Sequence, residues 1–263
     1  MKLCLSARLW EGSKGYTITL PDFLDVTAEL GYQGIELRYP LIPPPEKLGV
    51  IGAHAKRLGL TVVFSTCAAL PRDAATRADA LRVLDAVKFL GGSDIRATMT
   101  SDNDYAPMRE LADLAAGKGI KVAMQVHTNT LCDTVAKTEQ CLEKLNHSNV
   151  RLIFDPTHLQ IMGDIDIAGG IQRLIRWMDR ANAQNYALHG AGYQDRQKIP
   201  IGGQDWARAL PGEKGGLDFA AYVKALRVAG FKGWMNVMCD VEPGMNSKEV
   251  AKQYRHFLNP LLA

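Results

Sequence analysis

The stretch that decides the fold is KVAMQVHTNTLCDTVAKTEQCLEKLNHSNVRLIFDPTH, residues 121–158. It begins with a short apolar run at residues 121–127 and closes with a second run at residues 150–155. Between them lies TVAKTEQCLEKLN, a segment whose apolar residues recur with helical period. A strand, a helix and a second strand in this order predict one βαβ unit of a parallel sheet.

The same alternation continues from one end of the chain to the other. In strict alternation with amphipathic segments, eight short apolar runs predict strands at residues 1–7, 34–38, 60–65, 94–99, 121–127, 150–155, 186–189 and 233–239. Eight strands and eight helices in 263 residues predict a single α/β domain over residues 1–263, a (β/α)8 TIM barrel. A doubly wound open sheet is the alternative. It uses fewer strands and favours a Gly-rich phosphate loop, but SARLWEGSKGYT has no G-x-G-x-x-G.

Composition and charge exclude several classes of protein. Hydrophobic residues make up 47% of the chain and charged residues 22%, which is typical of a soluble globular protein. The formal net charge of +3 is too small to indicate a nucleic-acid partner. No apolar stretch approaches the roughly 18 residues of a membrane span. The five cysteines are scattered without a CxxC pair, which favours a reducing, cytoplasmic environment.

One connection is unusually long. From His189 to Leu217 the chain is rich in Gly and Pro and has little periodicity. Long connections inside compact domains are usually lids or binding loops. The alternatives are a contact between copies in a homo-oligomer or a partly disordered insertion.

Polar side chains gather where the predicted strands end. Period-two alternation places Gln125 and His127 on the same face of the fifth strand, where packing gives no reason for them. Because the carboxyl ends of barrel strands open on one face, these side chains should converge with those of other strands. Singly, each has an ordinary explanation, such as Asp155 capping the helix that follows it. The converging set, which favours function, also includes Glu36, Arg38, His158, His189 and Asp240.

The chemistry of this set is oxygen and nitrogen ligation of a divalent cation. Neutral imidazoles and a carboxylate are ligand types that suit a divalent cation such as Mn, Mg, Co or Zn. Such an ion polarises a carbonyl, and a neighbouring base can then move a proton at the adjacent carbon. Sugars and polyols are the expected substrates. Trp10 and Trp206 are predicted to stack on a sugar ring, with ordinary surface packing as the alternative.

Beyond these residues, the chain resembles the xylose isomerase-like TIM-barrel superfamily of sugar isomerases and epimerases, inosose-processing enzymes and endonuclease IV-like proteins. The resemblance is carried by GYQGIELR, by residues 122–164 and by the pattern PGEKGGLDF followed by GFKGW. It implies a metal site of Glu, Asp, His and Glu on strands five to eight. By position Asp155 and His189 match the Asp and the His. His158, Glu36 and Arg196 match residues near the substrate.

Two positions depart from the family pattern. Gln125 and Met238 stand where the resemblance implies the two glutamates, which in epimerase-type relatives are also the acid and base. A glutamine amide carries no charge, and a thioether is a poor ligand for Mg²⁺ or Mn²⁺. A divalent metal is therefore expected to bind weakly or not at all. Asp240 or Glu242, further along the last strand, could replace the missing carboxylate.

Three functional hypotheses follow. The first is an isomerase, epimerase or keto-sugar dehydratase with an altered site. Its catalytic residues would be His158, Glu36 and Asp240, and its substrate contacts Arg38, His127, Arg196, Trp10 and Trp206. The second is a non-catalytic sugar-binding or accessory barrel. The third is an endonuclease IV-like nuclease, which the balanced charge and Ser65-Thr66 at the third strand end disfavour.

Overall fold

The protein forms a closed barrel of eight parallel strands. The computed structural model describes residues 1–66 and 69–263, so Cys67 lies outside the described residues. The strands are β1 (Lys2–Ser6), β2 (Gly34–Leu37), β3 (Thr61–Thr66), β4 (Asp94–Ala97), β5 (Lys121–Gln125), β6 (Val150–Phe154), β7 (Met178–Ala183) and β8 (Trp234–Val237). Each pairs in parallel with the next and β8 pairs with β1, so the predicted single barrel is confirmed.

Helices surround the barrel. They are α1 (Leu20–Glu29), α2 (Pro45–Arg57), α3 (Ala74–Phe89), α4 (Tyr105–Ala116), α5 (Val135–Leu145), α6 (Pro156–Ile161), α7 (Ile167–Leu174), α8 (Phe219–Val228) and α9 (Ser247–Leu262). Side-chain caps fix several of their starts, as Thr19 does for α1 and Thr134 for α5. No helix among the described residues is both long and apolar enough to cross a bilayer.

The seventh strand was predicted in the wrong place. β7 is Met178–Ala183, and its sequence MDRANA has no apolar run. Two of its buried side chains, Arg180 and Asn182, are polar and are hydrogen-bonded inside the barrel. Residues Tyr186–Leu188 instead begin a three-stranded antiparallel sheet with Ile199–Ile201 and Gln204–Arg208. We call these three strands the rim sheet. Much of the long connection after His189 is therefore ordered structure.

Candidate active site

A cavity of about 350 Å³ opens at the carboxyl ends of the barrel strands. Pro200 and Ile201 of the rim sheet form part of its wall, so the long connection does contribute to the site. The remaining wall is strongly polar. Its charged and titratable side chains are Arg8, Arg38, Arg96, His127, His158, Tyr186 and Asp240.

Asp155 lies at the end of β6 beside this cavity, and amides surround its carboxylate. Its Oδ2 accepts hydrogen bonds from Gln125 Nε2 at 2.9 Å, Asn182 Nδ2 at 2.8 Å and Gln184 Nε2 at 2.7 Å. Its Oδ1 accepts one from the backbone N–H of Thr157 at 3.2 Å, which caps α6. We call Gln125, Asn182 and Gln184 the amide cluster. Asp155 has no exposed surface, and among residues 1–66 and 69–263 no cationic side chain contacts it, so the amide dipoles stabilise its carboxylate.

Arg96, on β4, faces the other side of the amide cluster. Its Nη1 donates to Gln125 Oε1 and lies 3.7 Å from Met238 Sδ. Burial is the main cause that lowers the pKa of Arg96, to about 10, so the group is still charged at neutral pH. Gln125 therefore bridges a cation and an anion, donating to Asp155 and accepting from Arg96.

The donor set at the strand ends does not fit a divalent metal. Both ends of the Gln125 amide are engaged, and the Met238 sulfur faces a guanidinium. His189 lies just after the first rim-sheet strand, where its Nε2 is 3.2 Å from the Arg196 carbonyl, and the β7 side chain beside Asp155 is Asn182. Within residues 1–66 and 69–263, no group of three His, Cys, Asp or Glu side chains is arranged to hold a metal ion. The predicted ligands Gln125, Asp155 and His189 are thus not brought together as a metal site.

His127 and His158 form a stacked pair in the cavity wall. Their ring centroids are 3.8 Å apart and the planes are tilted by 33°. His127 Nδ1 lies 2.7 Å from the Thr128 carbonyl oxygen and therefore donates to it, leaving Nε2 with a free lone pair. The backbone N–H of Thr128 donates to His158 Nδ1 at 3.5 Å, and Thr128 Oγ1 lies 3.3 Å from the same nitrogen. Because Nδ1 accepts from the backbone, we infer that the proton of that ring is on Nε2 and that the Thr128 hydroxyl also donates to Nδ1.

Both imidazoles are neutral at physiological pH. Burial lowers the pKa of His158 to about 4, and burial also lowers the pKa of His127. The two neutral rings are opposite tautomers: Nε2 is an acceptor in His127 and a hydrogen-bond donor in His158. A proton acceptor beside a hydrogen-bond donor suits acid–base chemistry.

Glu36 sits behind the cavity. Its side chain has no exposed surface, its Oε2 accepts from Asn236 Nδ2 at 2.9 Å and its Oε1 accepts from Arg38 Nη1 at 3.3 Å. Arg38 itself lines the cavity as predicted. Glu36 therefore contacts Arg38 and Asn236 and has no surface in the cavity, where the sequence predicts a proton carrier.

Asp240 lines the cavity and is ion-paired. Its Oδ1 accepts from Arg8 Nε at 2.5 Å and its Oδ2 from the Tyr186 hydroxyl at 3.3 Å. Burial raises the pKa of Asp240, but the hydrogen bond and charge of Arg8 outweigh burial and lower the pKa overall. Asp240 is therefore a carboxylate at neutral pH, suited to accepting hydrogen bonds from hydroxyl groups.

The two tryptophans predicted to stack on substrate are buried in the protein instead. Trp10 is 7% exposed and packs edge-on against Phe23, with ring centroids 5.5 Å apart. Trp206 is 4% exposed, and its Nε1 donates to the Ile201 carbonyl at 3.2 Å. Since Ile201 lines the cavity, Trp206 supports the wall from behind.

Arg196 and Glu242 are engaged in the rim sheet. Arg196 makes a bidentate ion pair with Glu213, at 2.8 and 2.7 Å, and also donates to the Arg208 carbonyl. Glu242 accepts from the Gln197 backbone N–H at 2.6 Å and pairs with Arg208 at 3.3 Å. These contacts hold the rim sheet in place and leave neither group in the cavity wall.

Sequence reasoning missed several cavity residues. Asn182 and Gln184 went unnoticed because β7 was not recognised, and Tyr186 was taken for part of a barrel strand. Arg8 was also missed, although it follows the first predicted strand directly. Its position near the carboxyl end of a strand was the available signal. Arg96 was recognised as a residue at a strand end, but without a role.

Comparison with known proteins identifies the family. The family model of the xylose isomerase-like TIM barrel matches residues 24–261, and the chain belongs to this family. An inosose dehydratase of Geobacillus thermodenitrificans is 25% identical over 154 residues, which cover 57% of this chain and 51% of that protein. The chain thus spans about half the length of the curated relatives it matches.

Two solved structures show the same fold over nearly the full chain. A structure of IOLI protein with a bound zinc atom has a TM-score of 0.77, with 20% identity, covering 100% of this chain and 98% of that one. The probable 3-DHS dehydratase AsbF from Bacillus anthracis has a TM-score of 0.76 at 18% identity, covering 98% and 99%. At these identities the likeness concerns the fold alone.

Proposed function

We propose that this protein is an enzyme of the isomerase, epimerase and dehydratase group that eliminates water beside the keto group of a small polyol or sugar. The observation that carries the proposal is the His127–His158 pair, which sets a proton acceptor and a proton donor in one cavity wall. The family membership and the inosose dehydratase relatives support the same chemistry.

Each group has a role in this scheme. His127 Nε2 takes the proton from the carbon next to the carbonyl, and the electron pair of that C–H bond moves to form an enolate. The enolate then expels the hydroxyl group on the following carbon. The His127 imidazolium formed in the first step returns its proton to that hydroxyl, so that it leaves as water, while His158 Nε2–H donates a hydrogen bond to the substrate oxygens. Asp240 orients substrate hydroxyls, and Glu36 positions Arg38.

A panel of keto-polyols tests this proposal. Inososes, ketoses and keto-glycosides are incubated with the protein in D₂O, and loss of water and exchange of the C–H proton are followed by NMR. We expect turnover of at least one of them, and a loss of about 10²- to 10⁴-fold in kcat for His127→Gln and for His158→Gln. His54→Gln is the control, since His54 pairs with Asp25 outside the cavity. Neither exchange nor turnover with any substrate would contradict the proposal.

A second candidate is a sugar-binding barrel without catalysis. The observation that favours it is the replacement of both expected glutamates, by Gln125 and Met238. The same experiment separates the two candidates. A keto-polyol that raises the melting temperature but shows neither proton exchange nor loss of water supports the binding function.

A further inference from the structure

We propose that the guanidinium of Arg96 takes the place of the divalent metal at this barrel mouth and binds the anionic oxygens of the ligand directly. The ligand class is a small molecule with two neighbouring oxygens that carry or develop negative charge, such as a carboxylate or an enediolate. The catalytic part of this inference rests on the proposed function. The anion binding does not.

The position of Arg96 is the first argument. Its Nη1 contacts Gln125 Oε1 and Met238 Sδ, at the ends of β5 and β8. These are the two positions where the sequence resemblance implies glutamate ligands. A guanidinium in contact with both side chains places a fixed positive charge where two carboxylates would otherwise hold a cation.

The partners of the cavity arginines are the second argument. Arg8 pairs with Asp240 and Glu11, and Arg38 pairs with Glu36 and Glu11. Arg96, in contrast, bonds only the neutral side chains of Gln125 and Met238 within the described part of the chain. No carboxylate contacts its guanidinium directly, although Glu36 and Asp155 act favourably on its charge from further away. A ligand that pairs with it directly would therefore offset part of the cost of burying the charge.

The free donors of Arg96 are the third argument. Of the residues described, none accepts a hydrogen bond from its Nε or Nη2, and Arg96 lines the cavity. Two parallel N–H groups of a guanidinium match the two oxygens of a carboxylate or an enediolate. The unused edge of Arg96 therefore offers a bidentate site.

The amide cluster keeps this donor in place without neutralising it. Gln125 accepts from Arg96 and donates to Asp155, so the carboxylate is held one side chain away from the guanidinium. Donors that are oriented before the reaction, in surroundings with little water, stabilise a developing oxyanion most strongly. Arg96 would thus stabilise the enolate oxygen in the step that His127 begins.

Ligand binding tests the inference without need of a substrate. Oxalate is the probe, because it presents two neighbouring anionic oxygens. We expect oxalate to raise the melting temperature of the wild-type protein and to bind at least 10-fold more weakly to Arg96→Met by calorimetry. Arg77→Met is the control, since Arg77 pairs with Glu110 on the surface. Equal affinity for oxalate in Arg96→Met and the wild type would overturn the inference.

Gln125→Glu gives a second variant that keeps the size of the side chain. The new carboxylate would pair with Arg96, so we expect a loss of oxalate affinity like that of Arg96→Met in a protein that still unfolds cooperatively. Unchanged affinity in a folded Gln125→Glu protein would count against the inference.

Metal ions complete the test. Elemental analysis should find less than stoichiometric metal, and Mn²⁺, Mg²⁺, Co²⁺ or Zn²⁺ should leave the melting temperature unchanged, as should a chelator. Stoichiometric metal whose removal abolishes oxalate binding overturns the inference. Oxalate binding through Arg96 without turnover of any keto-polyol refutes the proposed function and leaves this inference standing.

Discussion

Two arginines of the barrel interior, Arg180 and Arg96, differ in the charge of the side chains that they contact. Arg180 on β7 contacts the carboxylate of Asp94, donates to Ser93 Oγ at 3.0 Å and lies over the ring of Phe64. Arg96 follows Asp94 by two residues on β4, so it projects from the same face one layer nearer the cavity. It contacts an amide and a thioether instead.

The comparison separates a structural arginine from one that is available to a ligand. The Arg180–Asp94 pair is 7% and 2% exposed, and its charges cancel inside the protein. The charge of Arg96 is held by neutral groups and faces a cavity. Similar placement in the barrel thus gives different roles, and the partners decide between them.

The largest expected effect comes from removing the partner of the structural arginine. Asp94→Ala leaves the Arg180 charge buried without a counterion and should lower the free energy of unfolding by about 3–5 kcal/mol. Arg96→Met removes a charge that has no direct counterion, so it should change the free energy of unfolding by less than about 1 kcal/mol. Urea denaturation monitored by circular dichroism measures both. Equal losses would break the distinction between the two arginines.

Next in size is the carboxylate that the amide cluster surrounds. Asp155→Asn replaces the carboxylate by a neutral amide, so the hydrogen bonds from the amide cluster are no longer assisted by a charge. We expect a loss of about 2–3 kcal/mol in the free energy of unfolding. The matched control is Asp166→Asn, because Asp166 caps α7 at an exposed position and Asn is an equally good cap. Urea titration should show no more than about 0.5 kcal/mol for the control. A similar cost for both variants would mean that the amide cluster contributes nothing to holding Asp155.

The pH dependence of stability sharpens the description of the histidine pair. His158 has a folded-state pKa of about 4, well below its ordinary value, so protonation favours the unfolded protein. The contribution of neutral His158 to the stability of the folded protein is fully present above about pH 6.5 and is lost as the pH falls toward 4. Between pH 7 and pH 5 the wild type should lose about 2 kcal/mol more than His158→Gln in urea titrations. Identical pH profiles for the two proteins would show that His158 is not held neutral.

The smallest effect is expected at Met238, which contacts Arg96 through sulfur. Met238→Leu keeps the apolar volume and should change stability by less than about 1.5 kcal/mol. Because the thioether carries no charge, oxalate affinity should stay within about threefold of the wild type, as calorimetry can establish. A larger change in affinity would assign the sulfur an electrostatic role beside Arg96.

Most of the fold could be predicted from the sequence, because seven barrel strands are apolar runs with helical segments between them. β7 was the exception. Its inward side chains Arg180 and Asn182 are satisfied by Asp94 and Asp155, partners that only the closed barrel brings near. A strand buried through long-range pairing has no local signal in its own sequence.

The candidate site was predicted only in part for the same physical reason. Gln125 and His158 could be placed beside the cavity because the ends of parallel strands meet at one face. Arg196 and Trp206 could not, because the rim sheet that holds them is fixed by antiparallel pairing within a long connection. The opposite charges around Gln125 became visible only with the side-chain contacts.

The bridging position of Gln125 makes the site epistatic. A lone change of Gln125 to Glu puts a carboxylate against Arg96, where it pairs with the guanidinium and is not free to ligate a metal. Substitutions at Arg96, Asn182 and Met238 would have to accompany it, and their effects cannot be additive because the side chains share contacts. We therefore expect single substitutions toward a metal-binding barrel to give variants that bind an anionic oxygen poorly, both through a metal and through Arg96.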